Sequence, residues 1–238
     1  MISRVAVVVP AADEQHLIAG CLTALRRAAC HLRDATPHPP QLDVVVVLDA
    51  CRDRTADVVA EFPEVRMIEA AGRCVGAARA LGTASALAAT GEGHDVWTAH
   101  TDADSQVPVN WLRQMVRAAD GGADLVLGTV DPGTDLPLGT RHAWRLRHSP
   151  DDGHRHVHGA NLGIRAATLR RVGGWRPLRS GEDVDLATRV AGSGATVERT
   201  GAIPVYTSAR HIGRAPAGFS SYLRTLGADS AMRPAVGG

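Results

Sequence analysis

Short apolar runs alternate with amphipathic segments over the first 131 residues. Five runs rich in Val, Ile and Leu are short enough to be strands buried on both faces. They occupy residues 4–10, 42–50, 65–70, 95–101 and 123–131. The intervening segments predict helices at 12–32, 55–62, 72–90 and 108–120, because apolar residues recur there on one helical stripe or small residues allow close packing. Strands that alternate with helices predict an α/β fold, with a Rossmann-like, mostly parallel central sheet and helices on both faces.

The pattern changes after residue 131. Residues 132–161 are rich in His, Gly and Pro, which is typical of a long loop. Two helices are predicted at 166–172 and 182–194, followed by two short strands at 195–199 and 202–206. The last residues, 219–238, are expected to be a frayed tail. No repeat and no interdomain linker is visible, so we expect one domain over residues 1–238.

Composition narrows the class of protein. The net charge is +1, from 26 basic and 25 acidic residues, and this balance disfavours a nucleic-acid-binding protein, which would show a basic face. The four cysteines form no C-x-x-C pair, and no apolar stretch reaches the ~18 residues of a membrane span. We therefore expect a soluble cytoplasmic protein with reduced thiols and no integral membrane segment.

Acidic residues follow the predicted strands. Asp49 ends the second strand, and Asp102 and Asp104, in "HTDADS", follow the fourth. Ligands of open α/β sheets bind beyond the carboxyl ends of the strands, where Pro10–Glu14 and Arg73 also lie. Two neighbouring carboxylates repel each other unless they are solvated or a cation lies between them. The alternatives are therefore an acidic turn and a site for a divalent cation.

Six segments, taken in order, resemble the family 2 glycosyltransferases, which have the GT-A fold. The resemblance extends from about Val5 to about Gly218. The segments are "VVVPAADE" (7–14), "LDACRDRT" (48–55), "GRCVGAARALG" (72–82), "DAD" (102–104), "GANLGIR" (159–165) with the "GGW" that follows it, and "GEDVDL" (181–186).

The resemblance implies transfer of a sugar from a nucleotide-diphosphate sugar, such as a UDP- or GDP-sugar, to the hydroxyl group of an unknown acceptor, with inversion. Residues 1–131 would form the nucleotide-sugar-binding half and residues 132–218 the acceptor-side half. A divalent metal ion, Mn²⁺ or Mg²⁺, would neutralise the departing diphosphate. Asp104 would bind this ion, Asp102 would contact the ion or the ribose, and His211 would complete the metal site or contact phosphate.

The same resemblance implies a set of nucleotide-binding residues. Asp49 would accept a hydrogen bond from the base, although relatives often have two acids where this chain has Leu48 and Asp49. Arg73 and Arg79, near the start of the Gly-rich helix, would reach the base or the diphosphate. For Arg79 the alternative is a surface ion pair. The remaining members of the predicted nucleotide site come from the end of the first strand: Pro10, Ala11 and Glu14.

Glu182 and Asp183 are the predicted catalytic residues. By resemblance Asp183 would be the general base and Glu182 would position the acceptor. The alternative is a pair of acids that only stabilises a helix N-terminus. Three histidines in "HRHVH", at 154, 156 and 158, would share a face in a strand. Without a Cys pair or an H-E-x-x-H sequence they are a poor zinc site. The resemblance implies instead that their segment faces the acceptor.

Two other functions share some of these features. A nucleotidyltransferase also has an α/β nucleotide fold with acidic metal ligands, but it would show a basic Gly-rich loop after the first strand, where this chain has the acidic "PAADEQ". A non-catalytic nucleotide-sugar-binding module would not need the pair formed by Glu182 and Asp183.

Overall fold

The computed structural model describes residues 1–88, 95–133, 136, 138–148 and 150–208. The strands are β1 (Arg4–Ala11), β2 (Gln41–Asp49), β3 (Val65–Ala70), β4 (Val96–His100), β5 (Ser105–Gln106), β6 (Leu125–Asp131), β7 (Leu162–Arg165) and β8 (Val197–Thr207). The helices are α1 (Ile18–Asp34), α2 (Thr55–Ala60), α3 (Val75–Ala88), α4 (Trp111–Asp120), α5 (Leu138–Arg147), α6 (Ala166–Arg171) and α7 (Glu182–Gly192), with a 3₁₀ turn at Gly159–Asn161.

The strands form one sheet in the order β3-β2-β1-β4-β7-β6-β8-β5. The neighbours β3, β2, β1 and β4 are parallel, and so are β6 and β8. Strand β7 runs antiparallel between β4 and β6, and β5 runs antiparallel to β8. The expectation of a mostly parallel sheet is thus correct for the strand directions of the first half, but the complete sheet is mixed.

Helices cover both faces of the sheet, as predicted. Val5, Val7 and Val9 of β1 pack in the core that contains residues of α1 and α4. The alternate residues Ala6 and Val8 pack against Ala78 and Ala86 of α3 on the other face. This alternation follows from the period of two in a strand, and it explains why β1 is apolar at every position after Arg4.

Helix α3 packs closely because of two glycines. A Cβ on Gly82 would lie 2.5 Å from Val8 Cγ1 and 2.8 Å from Val47 Cγ2. A Cβ on Gly76 would lie 2.1 Å from the Arg176 carbonyl oxygen. The prediction that these glycines permit close packing is confirmed, and the approach at Gly76 brings α3 next to the segment that leads into α7.

The acceptor-side half differs from the prediction in three elements. Helix α5 occupies part of the stretch expected to be a loop, and β8 is one strand where two were expected. Strand β7 was not predicted at all. Helix α5 buries only Thr140 and Trp144, so it has no apolar stripe; Trp144 packs against Val130, Leu136 and Ala160 instead. Contacts with distant residues therefore stabilise this helix, and the spacing of apolar residues along the chain does not predict it.

Within the described residues, no helix combines the length and the apolar character needed to cross a membrane. The four cysteines are free thiols, with Cys21 and Cys74 buried and Cys30 and Cys51 half-buried.

Candidate active site

The loops that follow β1 and β2 are joined by hydrogen bonds. The backbone N–H of Gln15 donates to Asp53 Oδ2 at 3.1 Å, and the N–H of Arg54 donates back to Gln15 Oε1 at 2.9 Å. The N–H of Glu14 donates to Thr55 Oγ1 at 2.7 Å. Asp53 Oδ1 also accepts the N–H of Thr55, which makes Asp53 a turn residue. These bonds hold the two loops together at the carboxyl edge of the sheet. We call this pair of loops the rim.

Asp49 lies at the carboxyl end of β2 and is 4% exposed. Its Oδ1 accepts the backbone N–H of Arg73 at 2.8 Å, and its Oδ2 accepts the N–H of Cys74 at 2.6 Å. Both oxygens therefore hold the segment that leads into α3. The contact between Asp49 and a nucleotide base stays a prediction, and the structure adds a second role, in which the carboxylate anchors the backbone around Arg73.

An ion pair between Asp13 and Arg73 crosses the same edge. Arg73 Nη2 donates to Asp13 Oδ2 and, at 3.1 Å, to the carbonyl of Ala50. Asp13 Oδ1 accepts the backbone N–H of Arg52. The described residues other than glycine with positive φ are Asp13, Ala50 and Arg73, at 57°, 54° and 41°. Such strained backbone is typical of functional sites. Asp13 was not among the predicted site residues, because its only distinguishing feature in the sequence is an acidic side chain just after a strand.

The charges of three carboxylates act on the thiol of Cys21, in the first turn of α1. The Cys21 thiol donates to the carbonyl of Asp102 at 3.4 Å. Burial raises the pKa of this thiol, and the charges of Asp104, Asp102 and Glu14 raise it further. Glu14 is 8% exposed, whereas Asp102 and Asp104 are half-buried. The charge of the acid of the first loop and those of the two acids that follow β4 thus act on the same buried thiol, and the binding roles of these acids stay predictions.

Asp102 and Asp104 have the chemistry that a hard divalent cation requires. Carboxylate oxygens are the ligands that Mg²⁺ and Mn²⁺ prefer. Of the two Asp102 carboxylate oxygens, only Oδ1 takes part in a hydrogen bond to a described residue, Arg79. His211, the third predicted ligand, lies outside the described residues.

A second group of possible ligands lies in the loops that follow β1 and β2. One ligand atom each from Asp13, Cys51 and Asp53 lies within 4.8 Å of the others. The Asp13 and Asp53 carboxylates already accept backbone N–H groups at both loops. The Cys51 thiol donates to the carbonyl of Ala11, and burial raises its pKa. A soft, protonated thiol and two occupied carboxylates do not fit Mg²⁺ or Mn²⁺, so this group connects the loops.

Arg79 is buried, at 1% exposure, and contacts both acidic pairs. Its Nη2 donates to Asp102 Oδ1 at 2.6 Å, and its Nε donates to Glu182 Oε1 at 3.3 Å. Its guanidinium carbon lies 5.4 Å from the centroid of the Trp175 ring. Burial lowers the Arg79 pKa, but the charges of Asp102, Glu182 and Asp183 outweigh this and raise it. The alternative of a surface ion pair is therefore wrong, and contact with the nucleotide stays a prediction.

Glu182 and Asp183 begin α7, after Gly181 in the left-handed conformation at φ 73°. Their side chains differ in surroundings. Glu182 is 5% exposed, and burial raises its pKa, opposed by the charge of Arg79. Asp183 is half-buried; its Oδ2 accepts the backbone N–H of Gly159 at 2.7 Å and its Oδ1 that of Val184 at 2.8 Å. Asp183 is thus the more accessible carboxylate of the pair.

Asn161 explains the "GAN" segment. Its Oδ1 accepts the Trp111 indole N–H at 2.8 Å, and its Nδ2 donates to the carbonyls of Thr129 and Ile203 at 2.8 and 2.7 Å. The side chain is completely buried. Asn161 therefore holds the 3₁₀ turn against α4, β6 and β8, and this fixes the position of Gly159 next to Asp183.

The histidines form a stack and not a strand face. The rings of Trp144 and His148 lie 3.4 Å apart, and those of His148 and His156 lie 4.4 Å apart. His154 and His158 flank His156 at 5.7 and 6.0 Å. Residues 154–158 are not in a strand, so the histidines do not have the shared face that a strand would give them. Burial lowers the pKa of His148 to about 4 and that of His158 to about 3.

A mixed α/β sheet, an Asp-x-Asp pair beyond β4 and an acidic pair at the start of a later helix are the features of a glycosyltransferase with the GT-A fold. The chain belongs to glycosyl transferase family 2, whose family model matches residues 6–172. No curated protein sequence matches the chain.

Several solved structures share the fold. TarS of S. aureus, in complex with UDP-GlcNAc, is 15% identical, with a TM-score of 0.65; the match covers 98% of this chain and 68% of that one. The mannosyltransferase PcManGT of Pyrobaculum calidifontis, with GDP-Man and Mn²⁺, is 22% identical, with a TM-score of 0.64 and coverage of 98% and 66%. GalNAc-T7, with UDP, GalNAc and Mn²⁺, is 13% identical, with a TM-score of 0.63 and coverage of 98% and 52%. The chain thus spans about half to two thirds of the length of these structures.

Proposed function

We propose that the protein transfers a sugar from a nucleotide-diphosphate sugar to an acceptor hydroxyl, with a divalent cation and with inversion at the anomeric carbon. The observation that supports this best is the contact of one buried arginine, Arg79, with both Asp102 and Glu182. Because both carboxylates contact the same guanidinium, the acids proposed to bind the cation lie close to the acids proposed for base catalysis. Residues 1–131 would bind the donor, and residues 132–218 the acceptor.

The donor would lie beyond the carboxyl ends of β1, β2 and β4. The nucleoside would contact the rim around Ala11 and Arg73, and the diphosphate would lie near Asp102 and Asp104. UDP- and GDP-sugars are the donor candidates, in line with the ligands of TarS and PcManGT. When bound, Mn²⁺ or Mg²⁺ would neutralise the negative charge of the departing diphosphate.

Asp183 would act as the general base. Its carboxylate would take the proton of the acceptor hydroxyl while the hydroxyl oxygen attacks the anomeric carbon from the face opposite the diphosphate. The new C–O bond forms as the bond between the anomeric carbon and the phosphate oxygen breaks. The N–H of Gly159 orients the carboxylate, and half-burial leaves it open to the acceptor. Glu182, which is buried against Arg79, would position this part of the site.

A thermal-shift panel of UDP- and GDP-sugars, each with Mn²⁺, Mg²⁺ or a chelator, tests the proposal. A ligand at 100 times its Kd stabilises the native state by about 2.7 kcal/mol, so the donor should raise Tm clearly, and only with metal. With the metal present, the protein should also release nucleoside diphosphate slowly from this donor, with water as the acceptor. Asp104→Asn should remove the metal-dependent shift while the far-UV circular dichroism stays unchanged. Absence of any metal-dependent shift in the wild type would refute the proposed function.

A further inference from the structure

We infer that Arg79 is a positioning residue that couples Asp102 of the cation site to Glu182 beside the general base. The inference rests on the proposed function and assigns Arg79 no contact with the substrate. Asp102 follows β4 and Glu182 begins α7, and each is held by a different nitrogen of Arg79. One guanidinium can therefore hold both carboxylates at the same time.

Burial makes this contact strong. The Arg79 side chain is 1% exposed and that of Glu182 is 7% exposed, whereas Asp102 is 36% exposed. Charges interact more strongly where water is excluded. The structure therefore contains one desolvated cation shared between a buried acid on the acceptor side and a half-open acid on the donor side. A change in either carboxylate must alter the balance of charge at the other.

The surroundings hold Arg79 in place. Its helix, α3, lies against β1 and β2 at Gly82, and its guanidinium lies over the Trp175 ring. Trp175 in turn makes an edge contact with His100, at 4.7 Å between ring centroids. These contacts restrict the guanidinium to the position between the two carboxylates, so it cannot follow one of them away from the other.

Gly159 extends the coupling to the proposed base. A Cβ on Gly159 would lie 2.6 Å from Arg79 Nη2 and 3.3 Å from Glu182 Oε1, so the turn approaches the ion pair as closely as a glycine allows. The N–H of the same Gly159 donates to Asp183. The guanidinium therefore lies directly against the turn whose N–H donates to the proposed base.

The coupling predicts the sign of the effect that the charge of Glu182 has on metal binding at Asp102. A metal ion at Asp102 competes with Arg79 for the carboxylate. Glu182 draws part of the guanidinium charge to itself and so leaves Asp102 more available to the metal. Removing the charge of Glu182 should strengthen the pairing of Arg79 with Asp102 and weaken the binding of the metal ion at Asp102. By linkage, the metal must have the reciprocal effect on the environment of Glu182.

The test measures the affinity of UDP and of GDP by calorimetry, with Mn²⁺ and with a chelator, in wild type and Glu182→Gln. Gln keeps the shape and one acceptor oxygen, removes the charge and has an NH₂ group in place of the second oxygen. We expect the metal-dependent affinity to fall by about fivefold or more, and the affinity in chelator to stay unchanged. A merely structural role would lower both affinities together or only the stability. Asp185→Asn is the matched control, since Asp185 lies on the same helix but pairs with Arg176 and Arg189.

Arg79→Gln should abolish the effect, so that adding Glu182→Gln changes the metal-dependent affinity no further. Arg79→Lys, whose single nitrogen cannot hold both carboxylates as the guanidinium does, should also lose it. If neither Arg79 variant folds by circular dichroism, the comparison of Glu182→Gln with Asp185→Asn decides alone. Equal metal-dependent affinity in wild type and Glu182→Gln overturns the coupling and leaves the proposed function standing. A wild type that binds neither nucleotide with metal overturns both.

Discussion

Asp183 accepts the backbone N–H of Gly159 at 2.7 Å and thereby joins the first turn of α7 to the 3₁₀ turn at Gly159–Asn161. The same carboxylate accepts the N–H of Val184 through its other oxygen. Two backbone donors thus orient a carboxylate that is still half-buried and open to a ligand. A general base needs this combination, because its oxygen must reach the acceptor proton in a defined direction.

Asp183→Asn should separate chemistry from donor binding. The variant keeps an oxygen that can accept the Gly159 N–H but loses its basicity. Loss of a general base lowers the rate by about 10²–10⁴-fold, whereas the donor Kd should change by less than about threefold, or roughly 0.7 kcal/mol. Release of nucleoside diphosphate measures the rate, and calorimetry measures the affinity.

If Asp183 only stabilised the start of α7, the variant would lose about 0.3–1 kcal/mol of stability and keep most of its turnover. Asp185→Asn, two positions further along α7, is the control for such charge effects. Near-normal hydrolysis by Asp183→Asn would rule out the base role, and Glu182→Gln would then show whether the neighbouring carboxylate takes the proton.

Gly159→Ala should disturb the site through volume alone. The added Cβ would lie 2.6 Å from Arg79 Nη2, and overpacking of a well-packed region costs about 1–3 kcal/mol. Urea denaturation should show a stability loss of that size, together with a fall in kcat. Gly192→Ala, at the end of α7, is the control, since a Cβ there meets no atom within 4 Å. Equal stability of the two variants would contradict the close approach at Gly159.

The sequence predicted best the elements whose burial is local and continuous. Strand β1 is apolar at successive positions because both of its faces are covered, and such runs are visible without a structure. Helix α5 was missed because its one large buried side chain, Trp144, packs against residues of β6 and of the 3₁₀ turn. The spacing of apolar residues within α5 does not reveal that contact.

The candidate site was predicted as a set of acids and arginines but not as a network. The order of the strands places Asp49, Asp102 and Arg73 at one edge, which topology alone implies. The burial of Arg79 between Asp102 and Glu182 depends on how α3 meets α7, and this depends on the close approach at Gly76. The role of Asp13 depends on positive φ at three residues, which composition does not predict for Asp, Ala and Arg.

Asp49→Asn should reveal the structural role of this carboxylate. The amide has one acceptor oxygen, so the backbone N–H of either Arg73 or Cys74 loses its partner. A buried donor without a partner costs about 1–3 kcal/mol. We expect a stability loss of this size in urea, and also a weaker affinity for nucleoside and nucleoside diphosphate alike, because Arg73 would no longer be held at the rim. Unchanged affinity together with lowered stability would confine Asp49 to the anchoring role.

The histidine stack should make the protein sensitive to mild acid. Burial lowers the pKa of His148 from 6.5 to about 4 and that of His158 to about 3. The unfolded chain, with ordinary histidines, then binds protons that the folded rings do not. Stability is therefore complete above about pH 6.5 and decreases as the pH falls from there toward 4. Most carboxylates stay ionised above about pH 5, so the decrease between pH 7 and pH 5 should report the histidines.

His148→Gln removes one of these groups and keeps a polar side chain of similar size, so its stability should depend less on pH over that interval. Urea denaturation at pH 7, 6 and 5, followed by tryptophan fluorescence, measures the dependence; Trp144, stacked on His148 at 3.4 Å, should report the local change. His38→Gln is the control, because His38 is exposed and should leave the slope as in the wild type. If His148→Gln and the wild type lost stability in parallel between pH 7 and pH 5, burial of the neutral His148 ring could not be the cause.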